Sequence, residues 1–369
     1  MEDDKYAKEI RKTGFVLESK VGDTLRRAGW TVISNKYYED DFEGSVREID
    51  LLAYKVSKVQ QVSVYTTLLI SCKKNDVDVW ALLANEINLK NPNADWWPLH
   101  AWSNDKAISY QMAKPGMAQT YHQDVAKLGV KEALAVPEYE VFAFQEMNRA
   151  SGAPHNDKNI FGAVTSLMKA QAYELGALSQ RKKKPSIYQF NLISIIESDL
   201  FRLVIDGNNI SQEQIESEHY ISRYIIKKSE IFSRIRFVVS SSFKESLKDY
   251  GRLHEANCKW FDSAINTFYD GILKDFRRTN VLIEEFRSKV EWQINWAAKQ
   301  ELGVKISKDS ISIGWNKKGK YAEVTLFEVG PSVESLNQNS DLMQEVSAAL
   351  KEVYRYTGEF QFAIDDIPF

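Results

Sequence analysis

The sequence contains little cysteine and no long apolar run. Its two cysteines, Cys72 and Cys258, form neither a disulfide framework nor a zinc-ligand spacing, so we expect both to be packing thiols. No apolar stretch approaches the roughly 18–20 residues that a membrane helix needs, and the first segment, MEDDKYAKEIRK, has no apolar core. We therefore expect a cytoplasmic protein without a membrane partner.

Neither sign of charge is in large excess, with 48 Lys and Arg against 51 Asp and Glu. A net charge of −3 gives no global attraction to nucleic acid, so any such surface must be a local patch. At 369 residues the chain is long for one core, and we expect a large domain over 1–255 and a smaller α+β domain over 256–369. His100, His122 and His155 show no metal-ligand spacing.

Two apolar strand patterns in Val46–Lys74 end in opposite charges. They are VREIDLLAYK and VSVYTTLLISCKK. Because side chains alternate along a strand, Asp50, an acid inside an apolar strand, shares a face of the first with Leu52, and Ser71 and Lys73 share a face of the second. A hairpin would bring Asp50 and Lys73 together. Burying either charge is costly unless an ion pair or a metal ion compensates, and the spacing leaves both explanations open.

A predicted helix precedes these strands. Apolar residues recur at helical spacing from Thr13 to Ala28, and Gly29 is placed as a C-terminal stop. Glu18 lies on the edge of the inward stripe, and Gly22 leaves room one turn further on. Such a glutamate either borders the core and extends to solvent or points into a site.

The remaining elements are predicted in this order. GWTVISNKYY predicts a first strand, so that three strands form an antiparallel meander. The stretch of about 75–156 is less regular and is interpreted as an insertion. A helix over 161–179 and an apolar strand over 190–197 follow, and LFRLVID with Gly207 predicts a hairpin. Beyond about 255 come helices, a β-hairpin, a helix and a short strand.

The order helix, three strands, helix, strand, with EID on the second strand and ISCKK on the third, resembles the PD-(D/E)XK nuclease superfamily. The resemblance covers Thr13–Ser198 around the insertion. It implies an α/β, restriction-endonuclease-like fold: an αβββαβ core whose mixed central sheet is flanked by helices.

The resemblance also implies a site. Asp50 and Glu18 would bind a divalent metal, Mg²⁺ or Mn²⁺, and Lys73 would assist the attacking water. The second acid of the family is replaced by Ser71, a neutral and weaker ligand for a hard cation. The backbone carbonyl of Cys72 would add an oxygen.

The implied function is a metal-dependent nuclease that hydrolyses phosphodiester bonds in DNA, in a microbial restriction, defence or repair role. A homodimer would supply two active sites, and the C-terminal domain would serve regulation, specificity or partner binding. The missing acid leaves open an inactive subunit that binds nucleic acid or scaffolds a partner. An unrelated α/β protein with a structural Asp50–Lys73 ion pair is a third hypothesis.

Further side chains are candidates for ligand or substrate contact. Glu48 shares the face of Asp50 and is either a reserve ligand or an exposed acid. Trp96, Trp97 and Trp102 either stack on bases or pack in the fold. Basic residues supply most non-specific affinity for phosphates. The candidate nucleic-acid contacts are Lys74, Lys169, Tyr173, Arg181, Lys182, Lys183 and Lys184.

Overall fold

The computed structural model describes residues 4–40, 44–327, 329 and 331–363, and it is a mixed α/β structure. The chain divides into two compact units: unit 1 comprises Met1–Asp105 and Pro115–Asp262, and unit 2 comprises Lys106–Lys114 and Ser263–Phe369. The helices are α1 (Lys5–Ile10), α2 (Phe15–Arg27), α3 (Lys106–Met112), α4 (Met117–Lys127), α5 (Lys158–Arg181), α6 (Phe243–Tyr269), α7 (Phe276–Val281), α8 (Ile283–Glu301) and α9 (Ser340–Tyr354). The strands are β1 (Thr31–Glu39), β2 (Val46–Val59), β3 (Val62–Lys74), β4 (Asp78–Glu86), β5 (Ala101–Ser103), β6 (Tyr139–Asn148), β7 (Ser186–Glu197), β8 (Leu200–Asp206), β9 (Asn209–Ile215), β10 (Ser217–Ile226), β11 (Ser229–Val239), β12 (Ile311–Asn316), β13 (Tyr321–Leu326) and β14 (Phe360–Ala363).

The larger sheet of unit 1 has the strand order β1-β2-β3-β7-β11-β10, and β5 pairs with β7. β1, β2 and β3 pair antiparallel, which confirms the predicted meander. β7 runs parallel to both β3 and β11, so the sheet is mixed. Residues 186–196 of β7 are all buried, as expected for a central strand covered on both faces.

Two helices pack against the meander. α5 contacts β3 and β7, and its Met168 joins Leu52 and Leu69 in a buried cluster. α2 contacts β1, β2 and β3 through its apolar stripe. After α2, Gly29 adopts φ +78°, a conformation that suits glycine at a helix C-terminus. Both helices were predicted, and α5 extends the helix predicted over 161–179 at each end.

Unit 1 also contains a second sheet, of order β6-β4-β8-β9, which the sequence did not predict. The stretch of about 75–156, interpreted as a less regular insertion, contributes β4 and β6 to this sheet and β5 to the first one. β4 pairs parallel with β8, although more than a hundred residues separate them in the chain. The hairpin at Gly207 is confirmed: β8 and β9 pair antiparallel, and Gly207 has φ +58°.

Unit 2 combines helices with a small sheet of order β12-β13-β14. β12 and β13 form the predicted hairpin, and β14 pairs parallel with β13. Phe286 of α8 and Val346 of α9 lie in its buried core. The sequence placed the domain boundary near residue 255, which lies inside α6; the two units divide between Asp262 and Ser263.

No helix within the described part of the chain is long and apolar enough to cross a bilayer. Cys72 and Cys258 are free cysteines, the first buried and the second partly buried. The thiol pKa of each is raised, chiefly by burial. Neither forms a disulfide bond, in agreement with the expectation of packing thiols.

Candidate functional site

Asp50 and Lys73 lie at the same end of the larger sheet. β2 and β3 pair in antiparallel register up to the pair Leu51↔Ile70. Asp50 precedes Leu51 near the start of β2, and Lys73 lies near the end of β3. The antiparallel pairing therefore brings an acid and a base to one edge, just beyond the last pair of the ladder.

The backbone of Cys72 interacts with the Asp50 side chain where the ladder ends. The Cys72 N–H donates to Oδ2 of Asp50 at 2.6 Å. The N–H and C=O of one residue point to the same side of a strand. The Cys72 carbonyl therefore faces the side of β3 on which the Asp50 carboxylate lies.

Ser71 is a buried partner of the same carboxylate. Its side chain is 1% exposed, and its hydroxyl hydrogen-bonds Asp50. Burial raises the pKa of Asp50 above its ordinary value; the Cys72 N–H, the charge of Lys73 and the Ser71 hydroxyl oppose this shift. The position of the missing acid is thus occupied by a side chain that favours the ionised form of Asp50.

Glu18 approaches the site from the first turn of α2. Its pKa is raised first by burial, then by the charges of Asp50 and Glu48, and it is lowered by Lys73. Three carboxylates and one lysine therefore act on one another at this edge. Glu48 is exposed and accepts a hydrogen bond from Asn35, which fits a peripheral acid better than a ligand.

The two neighbouring lysines differ in their contacts. Lys74 lies 3.6 Å from Asp76 and 3.6 Å from Glu197. The side chain of Lys73 forms no ion pair or hydrogen bond with any residue that the structure describes, although its charge interacts with those of Asp50 and Glu18. Its ammonium group is therefore available to a water molecule or a phosphate.

The residues at this edge offer oxygen atoms to a cation. The donors are the carboxylates of Asp50 and Glu18, the hydroxyl of Ser71 and the carbonyl of Cys72, and such oxygens suit a hard ion like Mg²⁺. A cation would also relieve the repulsion that raises the pKa of Glu18. Over residues 4–40, 44–327, 329 and 331–363, no three His, Cys, Asp or Glu side chains are grouped to hold a metal. A cation here would therefore depend on the hydroxyl and the carbonyl.

A buried polar network that the sequence analysis missed begins two residues after Lys73. Glu146 is 0% exposed and accepts hydrogen bonds from Asn75 Nδ2 at 2.9 Å, Asn159 Nδ2 at 2.8 Å and Asn159 N at 2.8 Å. It connects the residue after β3 to β6 and to the start of α5. An acid inside the apolar pattern YEVFAFQEM was the available signal, the same kind that singled out Asp50.

Two of the predicted phosphate contacts have partners within the protein. The Lys169 Nζ lies 2.7 Å from Oδ2 of Asp40, which is fully buried. Tyr173 packs 6.5 Å from the ring of Tyr38 and borders the buried cluster. These contacts fit structural roles better than substrate binding.

The basic run at the C-terminal end of α5 lies at the other end of the sheet. β7 begins at Ser186, which pairs with Ser63 at the start of β3. Ten residues along β3 separate Ser63 from Lys73, which is about 33 Å of extended strand. The structure therefore does not bring Arg181, Lys182, Lys183 and Lys184 to the acidic edge.

Within this run, contacts and exposure differ. Arg181 lies 3.1 Å from Glu174, and the Lys182 ammonium lies over the rings of Tyr65 and Tyr188, at 4.9 and 5.2 Å. The side chains of the next two lysines are exposed. The run is thus partly bound to its own helix and to an aromatic cluster.

The predicted aromatic candidates are mostly packing residues. Trp96 is 3% exposed, and Trp102 packs 6.4 Å from Tyr188. The imidazole of His100 lies 2.8 Å from a backbone carbonyl, and that of His155 lies 3.3 Å from Asp78. The described histidines form no metal cluster.

Comparisons of the chain with protein-family models, with curated proteins and with solved structures found no match.

Proposed function

We propose that the chain is a divalent-metal-dependent nuclease with a PD-(D/E)XK-type core, acting on DNA. The observation that supports this most is the convergence of Glu18, Asp50, Ser71 and Lys73 at one edge of the sheet. α2, the meander, α5 and β7 follow the order on which the resemblance rests. DNA as the substrate, and a microbial restriction, defence or repair role, come from the resemblance.

The free ammonium of Lys73 adds support. A lysine with a purely structural role would be expected to pair with the nearby carboxylate, because even a partly buried charge is costly to leave unpaired. The described side chains of Asp50 and Lys73 form no ion pair, which weakens the hypothesis of a structural Asp–Lys pair. An ammonium held near two carboxylates but bonded to neither suits a group that meets a phosphate or a water.

Each residue has a defined part in this proposal. A bound Mg²⁺ would lower the pKa of a coordinated water and stabilise charge on the phosphate. Asp50 and Glu18 would hold the ion, with the Ser71 hydroxyl and the Cys72 carbonyl as neutral ligands. The Cys72 N–H fixes the orientation of the Asp50 carboxylate. Lys73 orients the attacking water or offsets the charge that develops on the phosphoryl oxygens.

A second candidate is a subunit of the same fold that binds nucleic acid without cutting it. The absence of a three-ligand cluster among the described residues favours it, as does Ser71 in place of an acid. The two proposals differ in one measurable property, because only the first requires divalent metal.

The test is cleavage of supercoiled plasmid, single-stranded DNA and RNA in Mg²⁺, Mn²⁺ or EDTA. Lys73→Met should abolish cutting, whereas Lys74→Met, the matched control one residue along the strand, should retain most of it. Thermal melts establish that all three proteins are folded. Metal-dependent cutting that depends on Lys73 supports the nuclease.

The reverse outcome is equally clear. Folded wild type that binds DNA but cuts no polymer in either metal would favour the non-catalytic subunit. Equal loss of activity in Lys73→Met and Lys74→Met, with both variants folded, would contradict the separate role given to Lys73.

A further inference from the structure

Two tryptophans of unit 2 are exposed side by side on α8. Trp292 is 71% exposed and Trp296 is 58% exposed. Their ring centroids lie 6.1 Å apart, and the ring planes are within 14° of parallel. The two rings are stacked and form one exposed apolar pair, and adjoining exposed apolar rings commonly mark an interaction site.

These rings do not serve the core. α8 buries the opposite face, through Phe286, Val290 and Ile294. Side chains four residues apart lie on the same face of a helix, so Trp292 and Trp296 adjoin on the outer face. Their exposure therefore follows from their positions on the face of α8 opposite the buried one.

A lysine stands at each end of the pair. Lys289, Trp292, Trp296 and Lys299 follow the spacing i, i+3, i+7, i+10, which places them in one stripe along the helix. Lys289 lies 2.7 Å from Glu352, and both of these side chains are well exposed, so the pair is weak and open to competition. Lys299 is exposed and has no ion-pair partner among the described residues.

We propose that this stripe, Lys289-Trp292-Trp296-Lys299, binds single-stranded nucleic acid. Unpaired bases offer flat faces to indole rings, and each nucleotide carries a phosphate for a lysine. The stripe is about 15 Å long, which matches roughly four stacked nucleotides. Duplex DNA fits less well, because its base faces are covered by their neighbours in the stack.

Charge and shape favour this occupant over two others. A second copy docked stripe to stripe would bring lysines against lysines. A lipid surface needs a broad apolar face, but the polar residues Glu291 and Gln293 lie on either side of Trp292 and leave an apolar strip of only two rings along the helix. The inference rests on nucleic acid as the partner in the proposed function, but it requires no catalysis.

Fluorescence anisotropy of a labelled oligothymidine in EDTA tests it with the full-length protein. Trp292→Ala/Trp296→Ala should weaken binding at least about tenfold, given the usual contribution of base stacking. Trp292→Phe/Trp296→Phe should keep most of the affinity. Lys289→Ala/Lys299→Ala should reduce the slope of log affinity against log salt by about 1.4. Phe276→Ala removes another exposed ring of unit 2, 72% exposed and off the stripe, and should change nothing.

Several results would overturn the inference: no binding by wild type, unchanged affinity in the double alanine variant, or equal affinity for duplex. If wild type sediments as a dimer and the double alanine variant as a monomer, the stripe is a contact between two copies of the chain and not a nucleic-acid site. If the protein cuts no plasmid but its oligonucleotide binding depends on the stripe, the proposed nuclease activity is rejected and this inference stands. If the protein cuts plasmid but its oligonucleotide binding does not depend on the stripe, this inference is rejected and the proposed nuclease activity stands.

Discussion

The N–H of Cys72 donates to Oδ2 of Asp50 at 2.6 Å, at the point where the β2–β3 ladder ends. A side chain thus takes the place of a backbone acceptor. The carboxylate is held in one orientation, and the pairing of the two strands stops beside it. Lys73 lies at the same end of these two strands, and its side chain forms no ion pair with a described residue.

Asp50→Asn should remove cleavage and raise stability. Burial raises the pKa of Asp50, so its contribution to stability is full below the unfolded pKa and is lost as pH rises through the folded value. The neutral amide of the Asp50→Asn variant does not ionise, so it avoids this loss of stability near pH 7, and its oxygen still accepts a hydrogen bond from the Cys72 N–H. Cleavage should fall at least about a hundredfold, because metal-ion catalysis supplies several kcal/mol.

Melting temperatures across pH check the stability half of this prediction. The variant should melt above wild type near neutral pH, and the gap should close as pH falls below the ordinary pKa of an aspartate, where Asp50 is neutral in both the folded and the unfolded protein. A variant that melts well below wild type at neutral pH would show instead that the charge of Asp50 stabilises the fold.

Ser71→Ala should make the acid side of the pH–rate profile move to higher pH. The hydroxyl favours the ionised form of Asp50, and without it the pKa of Asp50 rises further. Ser194→Ala is the matched control, since Ser194 pairs with Ser71 across β3 and β7, is equally buried, and its hydroxyl has no described partner. A shift of equal size in both variants would contradict the role given to Ser71.

Mg²⁺ should stabilise the protein more at neutral than at acidic pH. The raised pKa values of Glu18 and Asp50 mean that both protonate above their ordinary range as pH falls, and a cation binds only the ionised forms. At ten times the dissociation constant, the ion adds about 1.4 kcal/mol. Glu18→Gln should shrink this effect in calorimetric melts, and an equal Mg²⁺ effect at both pH values would reject the proposed ligands.

The sequence predicted the meander, α2 and α5 because local periodicity specifies them, whereas the grouping of Glu18 with Asp50 was expected only from the family resemblance. It missed β4, whose partner β8 lies far along the chain, and the partner of Lys169, because such pairings depend on tertiary structure. The place of the basic run after α5 could have been deduced. A strand parallel to β3 must begin at the start of β3, so the helix leading into it ends away from Lys73.

The last prediction concerns Glu146, whose carboxylate accepts three hydrogen bonds in a fully buried position. Glu146→Gln places an amide N–H₂ against donors, so at least one buried bond is lost, at about 1–3 kcal/mol. The melting temperature should fall by several degrees. Glu140→Gln, on the same strand and with a side chain that has no hydrogen bond to a described residue, should leave it unchanged.

Glu146 also holds Asn75, two residues after Lys73, so its loss should displace the lysine rather than the metal ligands. Small displacements of a catalytic group reduce turnover strongly. We therefore expect plasmid cleavage by Glu146→Gln to fall about tenfold or more at a temperature where the variant is folded, with Mn²⁺ affinity unchanged in calorimetric titration. If Glu146→Gln also loses Mn²⁺ affinity, the substitution disturbs Asp50 and Glu18, because Lys73 is not a ligand of the cation in this proposal.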